Sequence, residues 1–349
     1  NLIPLKLPNY NLHKKLLNKI KKIKPLYNIC AALILFFMKY FTIIYCIPLF
    51  HKKFSRLNVD ILHINNGGYP AAITAYSAVI AAKIKGINKI IYVVNNIAQD
   101  YKNPLRWLDK LIDIYISKSV SFFVTGSKNA GNKLKSILNI PKNKIFNIPN
   151  GIKKRKITQS KHELLKQLKL KIDKRKLFTT IALLEKRKGH IWLLKAIKMV
   201  KDSYVNINSA PFFIFEGEGD EYFSLSDYIK ENNLENYVLI VKKIPNIFNL
   251  INASDVIILP SIAMEDFPNV IIEAMSLGKP TIGTKIAGIP EQIDHNLNGC
   301  LVDPKDSAKL FSCINHLMNK KIRDQYSIQS KIKYEKNYKV EIIKEICFY

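Results

Sequence analysis

The feature that most constrains this chain is a pattern that occurs twice. From about residue 59 onward, apolar runs of strand length alternate with segments of helical periodicity. "VDILHI" (59–64) precedes "AAITAYSAVIAAKIKG", "KIIYVV" (89–94) precedes "PLRWLDKLIDIYI", and "VSFFVTG" (120–126) precedes "KNAGNKLKSIL". "KIFNIPNGI" (144–152) closes this first series. After a lysine-rich stretch (153–176) the pattern restarts with "LFTTIALL" (177–184), "PFFIFEGEGD" (211–220), "NYVLIV" ending at 241, "DVIILP" (255–260), "PTIGT" and "GCLVDP". Strands that are apolar throughout, rather than at alternate positions, belong to parallel sheets covered on both faces. Strand–helix alternation then predicts an α/β chain of two Rossmann-like, doubly wound domains facing a central cleft. Ligands bind such sheets outside the carboxyl ends of the strands.

The 349 residues suffice for two such domains. The expected division is 1–150, 151–330 and a C-terminal helix, 331–349, packing back on the N-terminal domain. Residues 1–58 fit the repeat less well. Residues 11–24 are basic, and 29–50, "ICAALILFFMKYFTIIYCIPLF", are apolar apart from Lys39. Three readings of 29–50 stand open: a helix packed in the first domain, a helix in a membrane interface, or a span.

Charge bounds the partners. The formal net charge is +28, and only six of the 55 basic residues are arginine. Nucleic-acid readers concentrate arginine and aromatics in one region, so no nucleic-acid partner is expected. A lysine-biased surface still favours anionic substrates and anionic membranes. Five cysteines show no CxxC spacing, which fits a reducing cytosol and leaves no zinc or disulfide framework. There is no DxD motif and no metal-spaced His/Cys cluster, so no metal or other cofactor is expected.

The segment richest in chemistry is "EDFPNVIIEAMSLGKP" (265–280), which follows the strand 255–260. Pro268 suits a first helical turn, and Gly278 with Pro280 suits a helix end. The helix N-terminus offers free N–H groups to a phosphate at the loop Glu265–Asn269. Glu273 shares a face with Val270, Ala274 and Leu277, where a carboxylate needs a partner; vicinal hydroxyls of a ribose would serve. Its alternative is a rim carboxylate paired with lysine. "EKRKGH" (185–190) also follows a strand, where Lys188 can reach a diphosphate or stand in a solvated lysine cluster. "EGEGD" (216–220), with Gly217 and Gly219, reads as a tight turn. In "NNGGYP" (65–70), Gly67 and Gly68 either admit a ligand close to the backbone or lead into a helix with Pro70 at its first position. His63 and His190 lie near strand ends, either as site or as edge residues.

"IPNGI" (148–152), "KG" (188–189), "GEG" (217–219), "ASDVIILPS" (253–261), "EDFPNVIIEAMSLGKP", "AGIPEQI" (287–293) and "NGCLVDP" (298–304) resemble, in order, the group 1 (family 4) glycosyltransferases of the GT-B fold. The resemblance covers about 59–320 and is more specific in the second half. It implies metal-independent, retaining transfer of a sugar from a nucleotide-diphosphate donor, with the donor on the second domain and a glycan or lipid-linked acceptor on the first. By resemblance, Glu273 binds the ribose, Glu265 holds the donor sugar near the reacting carbon, and Lys188 stabilises the leaving diphosphate. Phe267, Pro268, Asn269 and Val270 cradle sugar and diphosphate. It also implies work in polysaccharide or lipopolysaccharide synthesis in the cytoplasm, at the inner membrane face. The chain departs from the pattern in four places. Leu183 stands where the family usually has a diphosphate-binding Arg, with Arg187 as the nearby substitute. Asn95 and Asn96 stand where a His is common, and Asp266 replaces a common Gly. The family's first strand and glycine-rich turn are not found, so the chain is expected to lack that unit. The rival expectation is a catalytically silent sugar-nucleotide-binding or scaffold subunit.

Overall fold

The computed structural model describes residues 24–172 and 175–348. The chain forms two units. One runs to Thr125 and includes Gly131–Asn147; the other comprises Gly126–Ala130 and the chain from Ile148 onward.

In the first unit, a four-stranded parallel sheet has the order β1 (Ile61–Asn66), β2 (Lys89–Val94), β3 (Phe122–Thr125), β4 (Ile145–Asn147). Ile64, Tyr92, Phe123 and Ile145 lie in one row across it. Helices α1 (Lys24–Leu57), α2 (Thr74–Lys85), α3 (Pro104–Trp107), α4 (Lys110–Ser119) and α5 (Lys128–Leu138) complete the unit's helical layers. The apolar run 29–50 lies within α1, which packs along α2: Ile43, Cys46 and Phe54 are buried, and Ser77 Oγ donates to the Ile43 carbonyl at 2.9 Å. Among the described residues no helix is long and apolar enough to cross a membrane. Lys39, the charge that interrupts the run, meets the buried Asp109 carboxylate.

Pro70 is not a helix start. It follows a cis Tyr69–Pro70 bond, and α2 begins four residues later at Thr74. The Asn66 side chain holds the intervening turn by accepting the Ala72 N–H at 3.0 Å.

In the second unit, six parallel strands run in the order β10 (Gly299–Val302), β9 (Thr281–Thr284), β8 (Val256–Leu259), β5 (Leu177–Ile181), β6 (Phe212–Glu216), β7 (Val238–Val241). The four central strands β5, β6, β8 and β9 are buried along their length except at Ile181, as the apolar runs required, while the edge strands β7 and β10 are covered in part. The helices are α6 (Lys161–Gln167), α7 (His190–Ser203), α8 (Tyr222–Glu231), α9 (Ile247–Ala253), α10 (Asn269–Ser276), α11 (Ile289–Gln292), α12 (Ser307–His316), α13 (Lys320–Asn337) and α14 (Val340–Phe348). Chain order reverses direction between β5 and β8. That is the topological switch point, where loops leaving two adjacent strands diverge and open a crevice at their carboxyl ends. The β5 and β6 runs end earlier than their apolar residues suggest. Residues 182–184 and 217–219 leave the sheet and bond to each other, Leu184 N–H to the Glu218 carbonyl at 3.0 Å.

Candidate functional site

The two strands beside the switch point deliver the two residues with most chemistry. After β5 a short turn, Lys186–Lys188, ends at Gly189 with φ +72°. After β8, residues 260–268 loop over to α10. The turn lies directly on that loop: Ile262 N–H donates to the Arg187 carbonyl at 2.7 Å. A Cβ on Gly189 would sit 2.1 Å from the Pro260 carbonyl oxygen, so only glycine allows this approach. The docking brings Lys188 Nζ to both Glu265 oxygens, at 3.0 and 2.7 Å. Ser261 Oγ donates to the same carboxylate at 3.0 Å, and both charged groups are largely buried. Arg187 joins them: its Nη1 lies 3.7 Å from Glu265 and donates to the Met264 carbonyl at 3.1 Å, while Nε pairs with Glu185 at 2.6 Å.

Helix α10 starts one residue later than expected, with Pro268 as the flanking residue and Asn269 as the first helical one. No side chain caps it, so the amides of Asn269 and Val270 remain for an anion. Gln292 Nε2 donates to the Pro268 carbonyl at 3.1 Å and Asn150 Nδ2 to Asn269 Oδ1 at 2.8 Å, which hold the loop. Phe267 and Val270 are buried, Phe267 against Tyr338, so their side chains support the loop and their backbone is what it can offer.

Glu273 is half-buried on the apolar face, and among the described residues its carboxylate has no hydrogen-bond partner. Burial pushes its pKa up, with Arg155 acting in the opposite direction. It opens on a cavity of about 570 Å³ lined by Gly151, Lys153, Lys154, Arg155 and Phe248. A second cavity, about 370 Å³, lies over the exits of β5 and β6: Ile181, Ala182, Leu183 and Gly217 line it with Lys243 and Ile247. Leu183 therefore presents an apolar side chain here. Gly219 stacks its backbone against Leu184 beside this cavity.

Sequence reasoning missed the role of Asp266. This buried carboxylate accepts from Ser127 Oγ, and the Asp266 carbonyl accepts the Gly288 N–H at 2.9 Å. Burial pushes its pKa up to about 6. An acidic residue where the family has glycine was the available signal. His190, first residue of α7, is buried, and among the described residues neither ring nitrogen has a hydrogen-bond partner; burial, aided by Lys188, pushes its pKa down to about 4. His63 lies within β1. In the first unit, Gly67, Gly68, Asn95 and Asn96 do gather at the exits of β1 and β2, with Asn95 Nδ2 donating to the Asn66 carbonyl at 2.9 Å. A Cβ at Gly67 would meet no protein atom within 4 Å and one at Gly68 only ordinary contacts, so protein packing does not require glycine at either position.

Residues 162–334 match the family profile described as glycosyl transferases group 1. The chain belongs to this glycosyltransferase family. It is 23% identical over 277 residues to the UDP-Gal:alpha-D-GlcNAc-diphosphoundecaprenol alpha-1,3-galactosyltransferase of Escherichia coli, covering 78% of this chain and 70% of that one. It is 28% identical over 208 residues to an uncharacterized glycosyltransferase of Methanocaldococcus jannaschii, spanning 58% of this chain but only 50% of the relative. Among solved structures, a glycosyltransferase from Rickettsia africae superposes with a TM-score of 0.74 at 20% identity, covering 88% of this chain and 80% of that one. Anabaena HepE in complex with UDP gives 0.73 at 19% identity, with the same coverage. These likenesses establish the GT-B fold of two Rossmann-like domains.

Proposed function

We propose that this glycosyltransferase moves a hexose from a nucleotide-diphosphate donor, with retention, to a glycan or lipid-linked acceptor in cell-surface polysaccharide or lipopolysaccharide synthesis. The observation that carries this reading is the Lys188–Glu265 pair, delivered by the adjacent strands β5 and β8 at the switch point beside the uncapped start of α10. The named activities of the E. coli relative and of a Salmonella lipopolysaccharide 1,2-N-acetylglucosaminetransferase, 29% identical over 150 residues, support the substrate class.

In this mechanism the donor diphosphate lies at the Asn269 and Val270 amides and draws Lys188 towards it. Glu273 accepts hydrogen bonds from the ribose diol, which gives its half-buried carboxylate the partner it lacks among the described residues. The apolar cavity beside Ile181 and Gly217 takes the base. As the bond from the sugar's anomeric carbon to the diphosphate breaks, the electron pair goes to the phosphate oxygen. Lys188 and the amides stabilise that growing charge, so they lower the barrier rather than only binding the donor. Glu265 holds the donor sugar. The acceptor hydroxyl bonds to the anomeric carbon on the face the phosphate leaves, and its proton passes to the departing phosphate oxygen. Arg187, anchored beside Glu265, supplies the second cation where Leu183 supplies none. The charge is met by protein groups, so a chelator leaves turnover unchanged. The enzyme works in the cytoplasm, peripherally on an anionic membrane.

Leu183 also favours a second reading, a silent subunit that binds the donor without turning it over. Donor hydrolysis and transfer by the purified chain, beside Glu265→Gln, test both. Turnover lost in the variant supports the enzyme; equally tight donor binding without turnover in either protein favours the silent subunit.

A further inference from the structure

The carboxyl edge of the first unit's sheet is built of uncharged amides. Charged residues make up 23% of this chain, yet none falls at 64–82 or 90–99, the stretches that carry the exits of β1 and β2. β1 ends in Asn65 and Asn66, and β2 is followed by Asn95 and Asn96. β3 and β4 end in Thr125 and Asn147. The opposite edge carries Asp60, Lys89 and Lys144 where β1, β2 and β4 begin. A bias of composition would charge both edges alike, so the amide edge is a local feature.

Hydrogen bonds fix what that edge presents. Asn66 is buried and spends both ends of its amide inside the unit. Its Nδ2 donates to the Tyr92 hydroxyl at 2.7 Å, and its Oδ1 accepts the Ala72 N–H at 3.0 Å. The Asn66 carbonyl accepts from Asn95 Nδ2 at 2.9 Å. A carbonyl only accepts, so the nitrogen end of the Asn95 amide must face it. The same Nδ2 donates to Asn65 Oδ1. Both amides are thereby oriented. Asn95 Oδ1 and Asn65 Nδ2 are left over, without a hydrogen-bond partner among the described residues, and both residues are exposed. The Gln99 N–H donates to the Tyr69 carbonyl at 2.7 Å and ties the two exit loops together. A Cβ on Gly67 would meet nothing within 4 Å, so space is open there. One fixed acceptor beside one fixed donor is the complement of sugar hydroxyls, which both donate and accept. A carboxylate or phosphate would be repelled by Asn95 Oδ1 and would find no cation at 64–82 or 90–99 to offset its desolvation.

We propose that the exits of β1 and β2 bind a neutral sugar of the acceptor, with its hydroxyls bridging Asn65 Nδ2 and Asn95 Oδ1. This deepens the proposed function by naming the acceptor's chemical class, and it rests on that reading only for calling the bound sugar an acceptor. The test is saturation-transfer NMR and calorimetry on the full chain without donor. The probes are octyl glycosides of neutral hexoses and N-acetylhexosamines, beside octyl glucuronide and a hexose 1-phosphate. At least one neutral glycoside is expected to bind, and more tightly than either anionic probe. Asn65→Asp keeps an oxygen for Asn95 Nδ2 but replaces the outward donor by an acceptor. It is expected to weaken neutral-glycoside binding about tenfold with little change in melting temperature. Asn95→Ala, which removes the outward acceptor, is expected to weaken it at least as much. Three results would overturn the assignment: no neutral glycoside bound, an anionic probe preferred, or binding unchanged in both variants. Donor hydrolysis by the same preparation reports separately on the transferase reading. Hydrolysis without glycoside binding sinks only the sugar site, and glycoside binding without hydrolysis sinks only the transferase.

Discussion

The two units use buried charge in opposite ways. In the second, a buried Lys188–Glu265 pair sits at the switch point with Ser261, next to amides that nothing caps. In the first, Asp109 and Asp113 are enclosed by Arg106 and by hydroxyls of Tyr40, Tyr69, Tyr76 and Tyr101, and the network joins four helices of one unit, α1 to α4. One pair is open to exchange its partner for a ligand; in the other, the carboxylates are held by groups of their own fold. Burial alone does not mark a functional site. What distinguishes the second unit is that its charges arise on loops leaving adjacent strands where backbone donors are left over.

Breaking the enclosed network of the first unit is the largest expected effect. Asp113→Ala leaves Arg106 buried without its partner and is expected to cost about 3–5 kcal/mol of stability by denaturant unfolding. The next test addresses the open pair. Lys188→Ala is expected to lower kcat by about 10²–10³-fold while the melting temperature moves little; a stability loss instead would make the pair structural, like its counterpart. Gly189→Ala forces a side chain onto the Pro260 carbonyl at a positive φ and is expected to cost about 1–3 kcal/mol together with activity, because the docked turn carries Lys188. Glu273→Ala is expected to weaken donor affinity about tenfold with kcat nearly unchanged, as measured by calorimetry and kinetics.

The smallest effect is in pH. His190, held near 4 in the folded chain, binds fewer protons there than when unfolded. Stability therefore falls as pH drops from about 6.5 towards 4. Asp266, raised to about 6, acts in the opposite sense: it favours the folded state as pH falls from about 6 to 4. The two largely cancel in the parent. Asp266→Asn is expected to reveal the His190 loss as a melting temperature that drops more steeply between pH 6.5 and 4.

Much of the architecture was legible because continuous apolar strands and strand–helix alternation have few other solutions. The donor side was legible because each of its residues lies just beyond a strand, where the fold places ligands. The brace at Asp266 and the buried acids Asp109 and Asp113 at α4 were not. Each depends on a partner distant in sequence: Ser127 for Asp266, Lys39 for Asp109, Tyr69 and Tyr76 for Asp113.

The sequence by itself determined two parallel α/β units and put Lys188, Glu265 and Glu273 at strand exits, since local pattern and chain direction suffice for that. Only the tertiary structure decided which charges meet. A carboxylate on an apolar helix face looks the same in sequence whether it is hydrogen-bonded by its own fold, as Asp113 is, or without a hydrogen-bond partner among the described residues, as Glu273 is. The cost of burying a charge is set by the groups that surround it in space, and those come from elsewhere in the chain.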